Sequence, residues 1–235
     1  MTLSSKTGFL PTNEPDIQYH LDQLYQLYLK ADSDYEGRVT APVLWDKQTQ
    51  SIVSNESADI IRMFNSAFNG LTDNDHDYYP AELRAQIDAI NEQVYDSINN
   101  GVYRAGFATS QQAYEAAYYE LFDALDRVEQ FLTRERYLAG AVLTEADWWL
   151  FTTLIRFDAV YYGHFKTNRQ RIADYPAISN YLRELYQQPG VAQTVNFAHI
   201  KQHYYASHVT INPTQVVPLG PQQDFTLPHN RDQFE

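Results

Sequence analysis

The sequence contains no cysteine and few basic residues, and each shortage excludes a class of function. Without cysteine, these 235 residues form no disulfide, offer no thiolate to a metal and supply no sulfur nucleophile. Lysine and arginine number 17 against 30 aspartates and glutamates, which gives a formal charge of −13. So acidic a chain repels a phosphate backbone, and we expect no nucleic-acid partner.

Long hydrophobic runs are also lacking. No apolar stretch approaches the roughly 20 residues that a membrane span requires, so we expect no membrane partner. No basic-then-apolar leader opens the chain, and the absence of cysteine suits a reducing compartment. We therefore predict a cytoplasmic location.

Apolar residues at helical spacing are present through most of the chain and predict a largely helical protein. Met1–Pro15 has no such period and is predicted to be loop or disordered. The last stretch, from Ile211 onward, is rich in proline and is predicted to be an irregular wrap or tether. Predicted helices cover 17–29, 54–64, 81–99, 110–132, 144–157, 176–188, a short segment near 191, and 197–207.

Several boundaries of these helices follow from local signals. Gly101 is expected to stop the helix that begins near Ala81, so that 102–107 forms a break. Thr109 or Ser110 is expected to cap the following helix. Thr144 and Asp147 stand three residues apart before an apolar run, which predicts a capping box. Residues 158–171 are expected to form an aromatic and basic connection.

One stretch, 38–64, departs from the helical pattern. Val39–Trp45 is β-branched and apolar and predicts a strand, with Pro42 requiring an edge, a bulge or a cis peptide. Residues 47–50 predict a polar hairpin connection, and Ile52 begins the returning strand. Glu56 and Ser57 then stand at the start of a helix. Free N–H groups, an acid and a hydroxyl at a helix start are equipped to hold the carboxylate and ammonium of an amino acid.

Two strings in this stretch carry a family resemblance: Gly-Arg-Val-Thr-Ala-Pro-Val-Leu-Trp-Asp-Lys (37–47) and Ile-Val-Ser-Asn-Glu-Ser-Ala-Asp-Ile-Ile-Arg-Met-Phe-Asn (52–65). They resemble the glutathionyl-hydroquinone reductases, the Xi-class glutathione transferases related to the omega class. The resemblance implies a mainly α protein with the glutathione transferase fold. We expect a partial thioredoxin-like α/β module at 1–68, an all-α helical bundle domain at 69–210 and an irregular tail at 211–235.

The resemblance also implies glutathione as co-substrate and no metal. In the family, the residue before the cis-proline pairs with the cysteinyl backbone of glutathione, and an acid-hydroxyl pair holds its γ-glutamyl end. By this resemblance the glutathione-binding residues are Arg38, Val39, Thr40, Ala41, Pro42, Glu56 and Ser57. The alternative for Glu56 and Ser57 is a simple helix N-cap and first turn.

Three tyrosines fall where the family has functional ones. Tyr103 resembles the residue assigned proton transfer with the hydroquinone. Tyr161 and Tyr204 resemble a pair that lines the pocket near the nucleophilic thiolate. A phenol with an ordinary pKa near 10 keeps its O–H available to stabilise an oxyanion or thiolate. For each of them the alternative is an aromatic wall without a chemical role.

Histidines offer a weaker alternative site. His199 and His203 are one helical turn apart, with His208 beyond, a spacing that a metal tolerates. Two imidazoles without a clear third ligand are more often surface residues, so we expect no metal.

The missing cysteine is the main departure from the family, whose reaction needs a cysteine thiolate at the start of the first thioredoxin helix. Two interpretations stay open: a fragment of such an enzyme whose first strand and helix precede residue 1, or a non-catalytic relative that binds glutathione or a protein. The expected partners are glutathione and an aromatic glutathionyl-hydroquinone. We also expect a homodimer, since an exposed strand edge or aromatic patch invites self-association.

Overall fold

The computed structural model describes residues 18–72 and 74–234. The chain divides into two compact units, Met1–Asp77 and Tyr78–Glu235. The sequence predicts that the first module ends at residue 68. The two units instead divide between Asp77 and Tyr78. The predicted irregular segment at 1–15 and the predicted helix start at residue 17 lie outside the described residues.

The described residues of the first unit, 18–72 and 74–77, form two short helices and one hairpin. Helix α1 spans Leu24–Ala31, strands β1 (Leu44–Asp46) and β2 (Ser51–Ser54) pair antiparallel, and helix α2 spans Ser57–Ser66. A 3₁₀ turn follows at Asn69–Leu71. The hairpin and α2 confirm the predictions for 47–64.

Two predictions for this unit are wrong in extent. Residues 18–23 are not helical, and the first helix begins at Leu24, where a Gln23–Gln26 capping box starts it. The first strand begins at Leu44, and not at Val39. Its predicted first half is irregular because side chains, described below, take the backbone hydrogen bonds that a ladder would use.

The second unit is helical. Its helices are α3 (Arg84–Val94), α4 (Asn100–Gly106), α5 (Gln111–Leu132), α6 (Glu145–Arg156), α7 (Tyr162–His164), α8 (Pro176–Tyr186), α9 (Val191–Thr194) and α10 (Phe197–Ser207). Single π-helical turns at Tyr95–Asn99 and Phe157–Tyr161 join α3 to α4 and α6 to α7. Short 3₁₀ turns lie at Ile172–Asp174 and Arg231–Gln233. The starts predicted at Ser110, Thr144 and Pro176 are confirmed.

The predicted stop at Gly101 is wrong, because this residue lies inside α4. A Cβ at this position would lie 3.6 Å from the side chain of Leu121, so the glycine sits where α4 passes close to α5. The prediction of a connection that begins at residue 158 is also wrong, because these residues too are helical. A π-helical turn and α7 extend the line of α6 as far as His164.

Most of the buried apolar side chains lie in the second unit. Its core is formed by one face of each of the longer helices and includes Ile87, Ile98, Leu121, Leu125, Leu150, Leu154, Ile178 and Leu185. This core places α4, α7 and α10 beside one another, and these helices carry the predicted tyrosines or lie next to them. No helix of the described part of the chain is long and apolar enough to cross a bilayer.

The predicted capping box at the start of α6 is confirmed and is buried. The Asp147 carboxylate accepts hydrogen bonds from the backbone N–H groups of Leu138 at 2.9 Å and Thr144 at 2.8 Å. It also accepts one from the Tyr181 hydroxyl on α8 at 2.7 Å. Burial is the largest influence on this carboxyl and raises its pKa above the ordinary value. One residue thus caps α6 and ties it to α8.

The C-terminal tail contains one buried cation. The Arg231 guanidinium donates to the backbone carbonyls of Leu132 at 2.6 Å and of Glu135 and Arg136 at 2.5 Å. These carbonyls follow or end α5, where a positive charge is favourable. The tail is therefore fixed to the helical unit at its far end.

Candidate functional site

A small hydrogen-bond network fixes the backbone before Pro42 in the first unit. The Tyr28 hydroxyl donates to the backbone carbonyl of Thr40 at 2.7 Å. The Asn55 side-chain amide donates to the Tyr28 hydroxyl and to the Thr40 hydroxyl, both at 3.1 Å. Tyr28 is buried, so this network fixes the position of Thr40 against the interior of the unit.

The peptide bond that follows, Ala41–Pro42, is cis, which confirms one of the forms predicted for this proline. Both residues are exposed. Among residues 18–72 and 74–234, no partner occupies the backbone N–H or C=O of Ala41. These groups remain available to an extended ligand. The neighbouring predicted residues lie on the same segment: Arg38 is exposed, and Val39 and Thr40 are partly buried.

The start of α2 also presents unpaired groups. Glu56 is the N-cap and makes no side-chain capping bond, and Ser57 is the first helical residue. Both are exposed, and within the described parts of the chain neither side chain has a hydrogen-bond or ionic partner. An acid, a hydroxyl and free helix N–H groups suit the zwitterionic end of an amino acid or peptide. The arrangement is therefore compatible with the γ-glutamyl end of glutathione.

The structure brings the three predicted tyrosines together in the second unit. The hydroxyls of Tyr103 on α4 and Tyr204 on α10 are 2.5 Å apart. The hydroxyls of Tyr161 and Tyr204 are 2.8 Å apart. Tyr204 therefore links the other two, and the phenols form one continuous chain.

This phenol chain runs from the interior to the surface. Tyr161 is 2% exposed and Tyr204 is 5% exposed, whereas Tyr103 is 38% exposed. Burial is the largest cause that raises the pKa of Tyr161 and that of Tyr204 well above their ordinary value. Both neighbouring phenols add to the shift of Tyr161, whereas for Tyr204 the contact with Tyr103 adds to it and the hydrogen bond with Tyr161 opposes it. Both buried phenols therefore keep their protons at neutral pH. Each can donate one hydrogen bond and accept another, so the chain can pass a proton outward.

Local helix geometry explains how these side chains meet. Tyr161 is the last residue of the second π-helical turn, and Tyr103 follows the first one by one turn of helix. A π-helical turn inserts an extra residue and rotates the side chains that follow it, and such turns are frequent at functional sites. The Asn99 side chain at the first turn donates to the Trp149 carbonyl at 3.2 Å and accepts from Thr153 at 2.9 Å. These bonds hold α4 in register with α6.

The rings of Phe107 and Phe165 lie beside the phenol chain, and we call this pair the aromatic floor. Phe165 stacks on Tyr161 with ring centroids 5.5 Å apart, and Phe107 is parallel to Tyr103 at 6.4 Å. Phe107 is 46% exposed, so the floor reaches solvent. A Cβ at Gly106 would lie 2.2 Å from the Phe165 ring, which makes glycine necessary there.

A histidine pair at the edge of this floor was not predicted. His164 Nε2 and His208 Nδ1 are 3.2 Å apart, and the His208 ring is parallel to Phe165 at 5.8 Å. His203 lies against Tyr204 instead. Among the described residues no group of three or more His, Cys, Asp or Glu side chains could hold a metal ion. The pair could not be found from sequence, because 44 positions separate its members.

Comparison with known proteins places these features in a family. A family model described as Glutathione S-transferase, C-terminal domain matches residues 111–184. The chain is 57% identical over 217 residues to the glutathionyl-hydroquinone reductase YqjG of Escherichia coli, and the match covers 92% of this chain and 66% of YqjG. It is 54% identical to the glutathionyl-hydroquinone reductase PcpF of Sphingobium chlorophenolicum, covering 92% of this chain and 69% of PcpF. The chain thus spans about two thirds of the length of these relatives.

Solved structures give the same result. The glutathione-bound structure of Escherichia coli YqjG matches with a TM-score of 0.91 and 56% identity, covering 94% of this chain and 72% of that one. A Xi-class glutathione transferase from Natrialba magadii matches with a TM-score of 0.92 and 47% identity, covering 96% of this chain and 70% of that one. The mainly helical glutathione transferase fold predicted from sequence is confirmed.

Proposed function

Because the chain belongs to the glutathionyl-hydroquinone reductases of the Xi class of glutathione transferases, we propose that it serves the reduction of glutathionyl-hydroquinones by glutathione. The observation that carries the proposal is the chain of three hydrogen-bonded phenols beside an exposed aromatic floor. In this proposal the first unit binds glutathione and the helical unit binds the aromatic ring.

Glutathione binding follows from the groups that the first unit presents. The Ala41 backbone pairs with the cysteinyl backbone of glutathione, as strands pair at a sheet edge. The Glu56 carboxylate receives the γ-glutamyl ammonium, and the Ser57 hydroxyl with the first N–H groups of α2 receives the γ-glutamyl carboxylate. Two relatives support glutathione as the ligand, because YqjG and a Saccharomyces cerevisiae Xi transferase have been solved with glutathione bound.

The chemical step requires a thiolate. Its sulfur attacks the sulfur of the glutathionyl-hydroquinone, a disulfide with glutathione forms, and the bond between that sulfur and the aromatic carbon breaks. The electron pair of the broken bond stays on the aromatic carbon, which takes up a proton. A glutathione thiolate then attacks the mixed disulfide and releases oxidised glutathione. These 235 residues contain no cysteine, so the first thiolate is not a residue of this chain.

The phenols supply the proton that the reaction requires. Tyr103 is the exposed end of the phenol chain. In this proposal it gives the aromatic carbon its proton. Tyr204 and then Tyr161 stabilise the phenolate that Tyr103 becomes, by donating hydrogen bonds along the chain. A positioned acid of this kind contributes about 10²–10⁴-fold to a rate. The 57% identity with a named reductase supports this role over that of a non-catalytic binding relative.

The test is to titrate the purified chain separately with glutathione and with unsubstituted hydroquinone in a calorimeter. We expect saturable binding of each ligand, and the bound hydroquinone should perturb the tyrosine absorbance. Absence of saturable binding for both ligands would contradict the proposal.

We further propose that the chain forms a homodimer through its helical unit. Large apolar side chains on or beside α3 and α5 support it, since Tyr95, Tyr119 and Phe131 are 50%, 64% and 37% exposed. Light scattering at tens of micromolar should give twice the 27.3 kDa mass of one chain. A mass of one chain at that concentration would rule the dimer out.

A further inference from the structure

The histidine pair at the edge of the aromatic floor has no part in the phenol chain. His164 ends α7, which directly follows Tyr161, and His208 follows the last residue of α10, which carries Tyr204. His164 is buried, whereas His208 is half-buried. Their single hydrogen bond connects His164 Nε2 to His208 Nδ1. Among residues 18–72 and 74–234, the remaining ring nitrogen of His208 has no partner.

His208 and Tyr103 lie against the same aromatic floor, formed by Phe165 and Phe107. Its ring is parallel to Phe165 at 5.8 Å and meets Phe107 edge-on at 5.1 Å. Tyr103 lies 5.4 Å from Phe165 and 6.4 Å from Phe107, also between ring centroids. Two polar side chains thus border one apolar floor that is open to solvent at Phe107.

We propose that His208 recognises the second hydroxyl of a hydroquinone whose first hydroxyl lies at Tyr103, and that His164 fixes the orientation of the His208 ring. The proposal rests on the function proposed above and names the feature that distinguishes a hydroquinone from a simple phenol. His208 is then a specificity-determining residue, and His164 is a positioning residue.

The charge state of the pair agrees with this role. Burial, with smaller contributions from the neighbouring His208 and Lys166, lowers the pKa of His164 to about 4. Burial and His203 lower the pKa of His208 as well. Both rings are neutral at pH 7. When one of the facing nitrogens donates and the other accepts, the outer nitrogen of His208 has a fixed role as donor or acceptor.

The test compares two ligands that differ by one hydroxyl. Calorimetric titration of the chain with hydroquinone and with phenol measures the contribution of the second hydroxyl. In the variant His208→Phe, which keeps the ring contacts but loses the nitrogens, hydroquinone affinity should fall about three- to tenfold. Phenol affinity should change less than twofold. The exposed His199 on α10 provides the matched control, and His199→Phe should change neither affinity.

A second measurement does not depend on a stable His208→Phe variant. In the unmodified chain labelled with ¹⁵N-histidine, hydroquinone should shift the outer-nitrogen resonance of His208, and phenol should not; His208→Gln assigns the resonance. Equal loss of both ligands in His208→Phe, or equal shifts with both, would show a purely structural role and overturn the inference. Phenol and hydroquinone binding that is unchanged in the variant would overturn it while leaving the proposed function intact. If neither ligand binds the unmodified chain, the proposed function fails and this inference fails with it.

Discussion

The two units of this chain prepare their candidate sites in opposite ways. In the first unit the Ala41 backbone and the side chains of Glu56 and Ser57 are exposed and unpaired among the described residues. In the described part of this unit, Tyr28 and Ile60 are the buried apolar side chains. In the second unit two of the three phenols are buried and already bonded to each other. The first site needs its ligand to complete its hydrogen bonds, whereas the second has most of them before a ligand arrives.

This difference has a physical consequence for mutations. Removing an exposed, unpaired group leaves the folded chain nearly unchanged and affects ligand binding alone. Removing a buried, bonded group leaves donors without acceptors in the interior, at a cost of about 1–3 kcal/mol each. Substitutions in the first unit should therefore separate binding from stability, while those in the second should often combine them.

The largest expected effect concerns turnover. With a glutathionyl-hydroquinone and excess glutathione, the purified chain should release hydroquinone no faster than buffer does. The attacking species is a thiolate, and a tyrosine hydroxyl forms no disulfide in its place. Chromatographic measurement of hydroquinone checks this, with Escherichia coli YqjG as the positive control. Turnover that depends on this chain and on glutathione would show that the assignment of the missing nucleophile is wrong.

The next effect is on stability and compares two acids at the same helical position. Asp147 and Asp59 are each the third residue of their helices, α6 and α2. Asp147→Ala leaves the Leu138 and Thr144 N–H groups and the Tyr181 hydroxyl unpaired, so it should lower the free energy of unfolding by about 3–5 kcal/mol. Asp59→Ala, at an exposed site, should lower it by less than about 1 kcal/mol. Denaturant unfolding measures both, and equal losses would contradict the contrast between the units.

A smaller effect concerns pH. The pKa of His164 is lowered from 6.5 to about 4 in the folded chain, mainly by burial. Between these two values the unfolded chain binds more protons, so stability should rise with pH in that window and be lost as pH falls toward 4. The total contribution is up to about 3 kcal/mol, at 1.36 kcal/mol per pKa unit. Tyr205, Lys166 and His208 lie against this ring, and none carries a negative charge at these pH values.

The variant His164→Gln isolates this contribution. Urea unfolding at several values between pH 4 and 7 should give a shallower dependence on pH in the variant than in the unmodified chain. An unchanged dependence would mean that His164 is already protonated in the folded state or is not buried in solution.

Sequence patterns predicted the elements of the fold well wherever a local signal was strong. The capping box at Thr144 and Asp147, the proline that opens α8 and the cap at Ser110 each act within four residues, so their positions follow from the sequence. The prediction at Gly101 was wrong, because a glycine in the sequence does not by itself show whether a helix ends or continues there. Gly101 is buried inside α4, beside the side chain of Leu121 on α5, and this tertiary contact has no local signal in the sequence.

The residues of the candidate site likewise divide into those with a local sequence signal and those whose contacts depend on tertiary packing. Glu56, Ser57 and the Ala41–Pro42 pair lie on short strings that carry the family resemblance. The tyrosines were named by resemblance alone, and the bond between Tyr103 and Tyr204 joins residues 101 positions apart. Phe165, Gly106 and the His164–His208 pair have no local signal, because tertiary packing between α4, α7 and α10 creates their contacts.

The central proposal is that the first unit binds glutathione and the helical unit binds hydroquinone, and a crossed binding experiment tests it most directly. Glutathione and hydroquinone are each titrated into the variants Glu56→Ala and Tyr204→Phe, with Glu36→Ala and Tyr119→Phe as matched exposed controls. We expect Glu56→Ala to weaken glutathione binding by roughly 1–3 kcal/mol and to leave hydroquinone binding unchanged. We expect Tyr204→Phe to weaken hydroquinone binding by roughly 1 kcal/mol or more and to leave glutathione binding unchanged. If either variant weakens both ligands equally, or weakens neither, the assignment of one ligand to each unit is wrong.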